Sequence, residues 1–231
     1  MFHNLKYLFR QAALTLVILF FARICFAVAF VPLDVVSSHL SVFPHLLFNV
    51  LRFDVQVVCY VLLLPTVLTF VFAALRRPWT DRVLSRFRRI YFSITSMLIL
   101  MISGIDLGFY ANFNSHINLT FFDFFNEGPL GLLQTIWEEY HCVYEAIAFL
   151  IVLLPVLWCI RRIERGSVPS VPAASPAPSV GPSVRRRICL SAVLLLYITF
   201  LAIGLRGSVW RFPLQIEDTF VSDQKTLNDL V

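Results

Sequence analysis

The sequence predicts an all-α protein: a polytopic membrane bundle of five transmembrane helices, with interfacial helices on the outer side. Three observations carry this. Five apolar stretches of about bilayer length punctuate the chain, and arginines crowd into alternate gaps between them. The composition is 58% apolar with a mean hydropathy of +0.79, against about half apolar for average soluble domains. Inside lipid every backbone polar group must pair within its own segment, so apolar runs of about 20 residues read as helices.

The first span covers 12–31. It is too long for the apolar core of a signal peptide and lacks a small-residue cleavage site, so it reads as a retained anchor. The second covers 54–75 and the third 92–109. The fourth covers 142–160 and the fifth 188–205. The domain plan is thus four spans within 1–165 and a linker at 166–184. Residues 185–231 hold the fifth span and the start of an extracytoplasmic linker.

Charge sets the orientation. Lys6 and Arg10 precede the first span; Arg76, Arg77, Arg82, Arg86, Arg88 and Arg89 fill the second gap. Arg161, Arg162, Arg165, Arg185, Arg186 and Arg187 fill the fourth, so 14 of 19 basic residues lie on one side. Short arginine-rich loops stay cytoplasmic. This puts the amino terminus inside a bacterial cytoplasmic membrane and the carboxyl terminus outside. Only Asp81 and Glu164 of the 14 acidic residues fall inside. The net charge of +5 is then an orientation signature, and no aromatic or recognition-motif context points to nucleic acid.

The connections differ in character. Residues 166–184 are rich in proline, serine and alanine, the composition of a disordered spacer. On the outer side, 32–53 is apolar, and 110–141 carries Phe113, Phe121, Phe122, Phe124, Phe125 and Trp137. Aromatic rings favour the head-group level, so both segments are expected to lie partly along the interface. The five cysteines, Cys25, Cys59, Cys142, Cys159 and Cys189, sit in or beside spans without a Cys-x-x-Cys pair, as packing residues do.

Ionisable residues at membrane depth must face protein, water or a partner. Arg23 lies midway along the first span, Asp54 opens the second, Asp106 is near the outer end of the third, and Glu145 is one turn into the fourth. An ion pair of Arg23 with one of these acids, Glu145 being chosen, is the economical arrangement. Arg52, Asp54, Asp106 and Arg206 share one depth and form a candidate lipid head-group site. No catalytic or metal constellation is present. The single Glu138-x-x-His141 lacks the second copy a di-metal bundle needs, and His3, His39, His45 and His116 have no ligand spacing.

Certain residues resemble those of the lipoteichoic acid synthase and phosphoglycerol transferase family. They are Arg52-Phe53-Asp54, then Asp106, Tyr110, Asn112, Phe113, Asn118 and Asp123, and then Tyr140. Arg206-Gly207, Pro213 and the Leu227-Asn228-x-Leu230 ending complete the set. The resemblance covers essentially the whole chain. It implies a five-span membrane domain followed by an extracytoplasmic sulfatase-like catalytic domain, with a threonine nucleophile and a divalent metal, usually manganese. It also implies phosphatidylglycerol as the phosphoglycerol donor. None of the catalytic positions has a counterpart up to Val231, so the expectation is a membrane half without activity or cofactor of its own. That half would present phospholipid to a separate catalytic domain. Two other readings stay open: the membrane domain of a phosphoethanolamine transferase, and a non-enzymatic scaffold or small transporter.

Overall fold

The computed structural model describes residues 2–75, 80–118, 121, 142–166, 184–207 and 225–230. The regular structure of the described residues is all helix, with no strand among them. The helices are α1 (Phe2–Phe30), α2 (Leu33–Ser38), α3 (Phe43–Leu75), α4 (Thr80–Phe113), α5 (Cys142–Arg165), α6 (Val184–Arg206) and α7 (Lys225–Asn228).

Four helices are long and apolar enough to cross a membrane, over Asn4–Phe30, Phe43–Phe72, Arg82–Phe113 and Val143–Arg165. The apolar part of α6, Ala192–Arg206, is shorter. Many large apolar side chains face outward, including Val28 at 82% exposure, Leu195 at 70% and Ile151 at 65%. A water-soluble bundle would bury such residues; a bundle solvated by acyl chains has no reason to.

The five long helices alternate in direction, as their cross-contacts reveal. At one end, Asn4 of α1 accepts a hydrogen bond from Arg88 of α4 at 3.1 Å, and Arg88 meets Glu164 of α5 at 3.5 Å. At the other end, Phe26 of α1 packs on Tyr110 of α4, with ring centroids 4.7 Å apart. Helix α1 packs against α3, α4 and α5, while α6 packs on α3. The largest core cluster joins Tyr7 and Leu8 of α1, Val58, Cys59 and Leu62 of α3, Phe92 of α4, Ile160 of α5, and Tyr197 and Leu201 of α6.

Pro65 sits inside α3 without ending it. Proline removes an N–H and crowds the preceding turn. Here it is fully buried, and the carbonyl it frees one turn earlier, that of Val61, accepts from the Tyr91 hydroxyl of α4 at 2.9 Å. Thr69 Oγ1 donates to the Pro65 carbonyl at 2.6 Å, and the Thr66 hydroxyl pairs with the Tyr197 hydroxyl at 2.7 Å across the α3–α6 contact. Gly204 permits that contact, because a Cβ there would lie 2.1 Å from Cys59 Sγ.

The helices overrun the expected spans. Within the apolar 32–53 segment, α2 takes the first part, and Phe43 onward forms the first turns of α3. Leu46 and Val50 are buried there against Phe26, Val31 and Tyr110. Hydropathy marks the lipid-embedded middle of a helix, whereas its ends are fixed by packing. Residues 122–141, expected along the interface, and 167–183 of the proline-rich spacer lie outside the described residues.

Candidate functional site

A cavity of about 410 Å³ lies between α1, α3 and α4 at the end of the bundle that holds His116. Leu19, Ala22, Phe26 and Leu107 give it an apolar wall. Arg23, Asp54, Ser103, Asp106, His116 and residues Asn228, Asp229 and Leu230 give it a polar one.

The polar wall begins with Arg23. Its Nε and Nη2 donate to Asp54 Oδ1 at 3.3 and 3.2 Å, and its Nη1 donates to the Leu230 carbonyl. The carboxylate that meets Arg23 is therefore Asp54, correcting the expected pairing with Glu145. Arg23 and Asp54 stand at one level of the α1–α3 contact, while Glu145 is exposed in the first turn of α5. Asp54 has only 5% of its side chain exposed, so its charge depends on this partner.

The second unit is built by a local backbone turn. After Phe113 the chain enters the left-handed region at Asn114, φ 50°, whose N–H bonds the Tyr110 carbonyl at 2.8 Å. Asparagine tolerates this conformation, and it ends the helix. The chain then doubles back, so that Asp106 Oδ1 accepts from the Ile117 N–H at 2.9 Å and Oδ2 lies 2.6 Å from His116 Nδ1. His116 Nε2 faces the Asp229 carbonyl at 2.8 Å. Both ring nitrogens thus meet acceptor oxygens, which the doubly protonated imidazolium satisfies fully. The Asp106 hydrogen bond outweighs burial and holds the imidazole above its usual pKa. Phe26 stacks on the ring with centroids 5.1 Å apart.

The third unit is the segment 225–230. Tyr110 donates to Asp229 Oδ2 at 2.7 Å, Lys225 donates to the Asn114 carbonyl, and Leu230 is buried beside Phe26, Val31 and Val50.

Of the four residues expected at a head-group site, Asp54 and Asp106 line this cavity. Arg52 and Arg206 are not among its lining residues. Arg52 Nε instead donates to the Gly207 carbonyl at 3.4 Å, tying α3 to the end of α6, and its guanidinium lies over the Phe48 ring. Arg206 is exposed in the last turn of α6. Sequence reasoning passed over His116 and Asp229, because neither shows ligand spacing. The available signal was Asp106 followed ten residues later by His116 across an asparagine-rich helix end.

A second charged cluster occupies the opposite end. Arg88 and Glu164, 4% and 0% exposed at the side chain, pair at 3.5 Å beneath Tyr7, whose ring centroid is 4.1 Å from the guanidinium carbon. Among the described residues no group of three or more metal-ligating side chains is present. No family model, curated protein or solved structure matches this chain.

Proposed function

We propose that this chain is the membrane domain of a lipoteichoic acid synthase-like phosphoglycerol transferase. It anchors in the bacterial cytoplasmic membrane and presents phosphatidylglycerol to a separate extracytoplasmic, sulfatase-like catalytic domain. In this reading α6 is the fifth span. The Arg88 end faces the cytoplasm, and the His116 end faces outward. Manganese belongs to the catalytic domain alone.

One observation carries the reading: residues from distant parts of the resemblance meet at one cavity. Asp54, Asp106, Asn228 and Leu230 line it, and Tyr110 donates to Asp229, which lines it too. These residues come from α3, α4 and the segment around α7. The cavity's apolar wall suits the start of acyl chains, and its polar wall suits a head group. That is the division a lipid at the membrane boundary requires.

Two experiments test it. A cysteine at Ser115 should react with an impermeant thiol reagent in intact cells, and one at Gly166 should not; the reverse would overturn the orientation. Lipid carried through purification, read by native mass spectrometry, should be enriched in phosphatidylglycerol. Lipid in the same proportions as the membrane would refute the presenting role.

A further inference from the structure

Three donors from separate parts of the fold converge on two consecutive residues. Arg23 Nη1 of α1 bonds the Leu230 carbonyl, His116 Nε2 lies 2.8 Å from the Asp229 carbonyl, and Tyr110 of α4 donates to Asp229 Oδ2 at 2.7 Å. Two backbone oxygens and a carboxylate oxygen thus occupy one polar corner of the cavity. Guanidinium, imidazolium and phenol are donors that suit the oxygens of a phosphate group.

We propose that residues 225–230 are a displaceable strap that stands in for a ligand phosphodiester, whose oxygens take over the Arg23, His116 and Tyr110 donors when the strap lifts. The proposal rests on the reading of the cavity as a phospholipid site and adds its ligand set and its gate.

Charge balance supports the exchange. With the strap in place the charged groups around the corner are Arg23 and His116, against Asp54, Asp106 and Asp229. Lifting the strap removes the Asp229 carboxylate, and a phosphodiester restores one negative charge. The sum is unchanged, so bringing in the lipid anion costs no additional burial of net charge. The strap is also held by the Lys225 contact to Asn114 and by the buried side chain of Leu230.

The test uses the full chain in nanodiscs with three probes: phosphatidylglycerol, diacylglycerol and inorganic phosphate. Amide exchange at 225–230 should speed up when phosphatidylglycerol is added and stay unchanged with diacylglycerol. Asp229→Asn weakens the strap's grip on Tyr110 while keeping its shape. It should tighten phosphatidylglycerol binding by about threefold or more, because a larger share of molecules is open. His116→Gln removes a charged donor shared by strap and ligand, so it should weaken lipid binding although it loosens the strap. Acceleration by inorganic phosphate as well would place the recognition in the phosphate group alone; acceleration by phosphatidylglycerol only would make it lipid-borne. Lipid retention with no change in strap exchange, and equal binding by Asp229→Asn, would overturn the strap while leaving the lipid site standing. No retention by any form would overturn both.

Discussion

Arg23 Nη2 of α1 lies 3.2 Å from Asp54 Oδ1 of α3, and the same guanidinium bonds the Leu230 carbonyl through Nη1. One side chain therefore links two membrane-length helices and the segment that closes their shared end. The pair is asymmetric: Arg23 keeps 28% of its side chain exposed to the cavity, while Asp54 keeps 5%.

That asymmetry predicts unequal single mutants. Arg23→Gln strands a buried carboxylate and should destabilise more than Asp54→Asn, which leaves the guanidinium with the cavity and the Leu230 carbonyl. The double mutant should recover about 1–3 kcal/mol of the summed losses. Thermal melts in detergent would read this; additive losses would show that the two side chains do not support one another.

At the opposite end, Arg88 and Glu164 are buried more completely. Removing one partner leaves an uncompensated charge, so Glu164→Gln should cost about 3–5 kcal/mol, whereas Arg88→Met with Glu164→Leu should cost far less. A single mutant as stable as the parent would mean that the charges are neutralised in another way.

Gly204 gives a steric prediction. A methyl group there meets Cys59 Sγ at 2.1 Å, so Gly204→Ala should loosen α6 from α3. Overpacking of this kind costs about 1–3 kcal/mol. Cys59→Ala should return part of the loss, since the nearest contact is then the Cβ at 3.2 Å. Gly204→Ala without effect would contradict the α3–α6 packing.

The pH dependence follows from His116. Its pKa is raised in the folded chain through the Asp106 hydrogen bond. The stabilisation it lends the 114–118 turn and segment 225–230 is therefore complete below the ordinary value of 6.5, and is lost as pH rises through the raised value. The groups facing the ring are Asp106 from α4 and the Asp229 carbonyl, with Arg23 of α1 across the cavity. The stability difference between wild type and His116→Gln should shrink towards alkaline pH. A difference that grows there would refute the imidazolium assignment.

The helices were legible in the sequence because hydropathy and the arginine asymmetry are additive along the chain. Their ends were not: 43–53 continues α3 beyond the expected span, and there Leu46 and Val50 pack against Phe26 and Tyr110, contacts that hydropathy along the chain does not report. Asp54 and Asp106 were legible as charges at membrane depth, since burial of an ionisable group demands a partner. Which acid serves Arg23 was not, because spacing along the chain says nothing about which helices touch. His116 became visible only through the Asn114 turn, whose positive φ folds it back onto Asp106. Asp229 lies over a hundred residues from its donors.

The central claim is that the cavity at the His116 end holds a phospholipid, and filling it tests that most directly. Ala22 lines the cavity, whereas Val28 on the same helix points outward with 82% exposure. Phosphatidylglycerol retained by Ala22→Phe and by Val28→Phe should be compared by native mass spectrometry under one protocol. The account predicts that Ala22→Phe loses the bound lipid while Val28→Phe keeps it, with both variants melting as folded proteins. Equal retention by the two would contradict the lipid site.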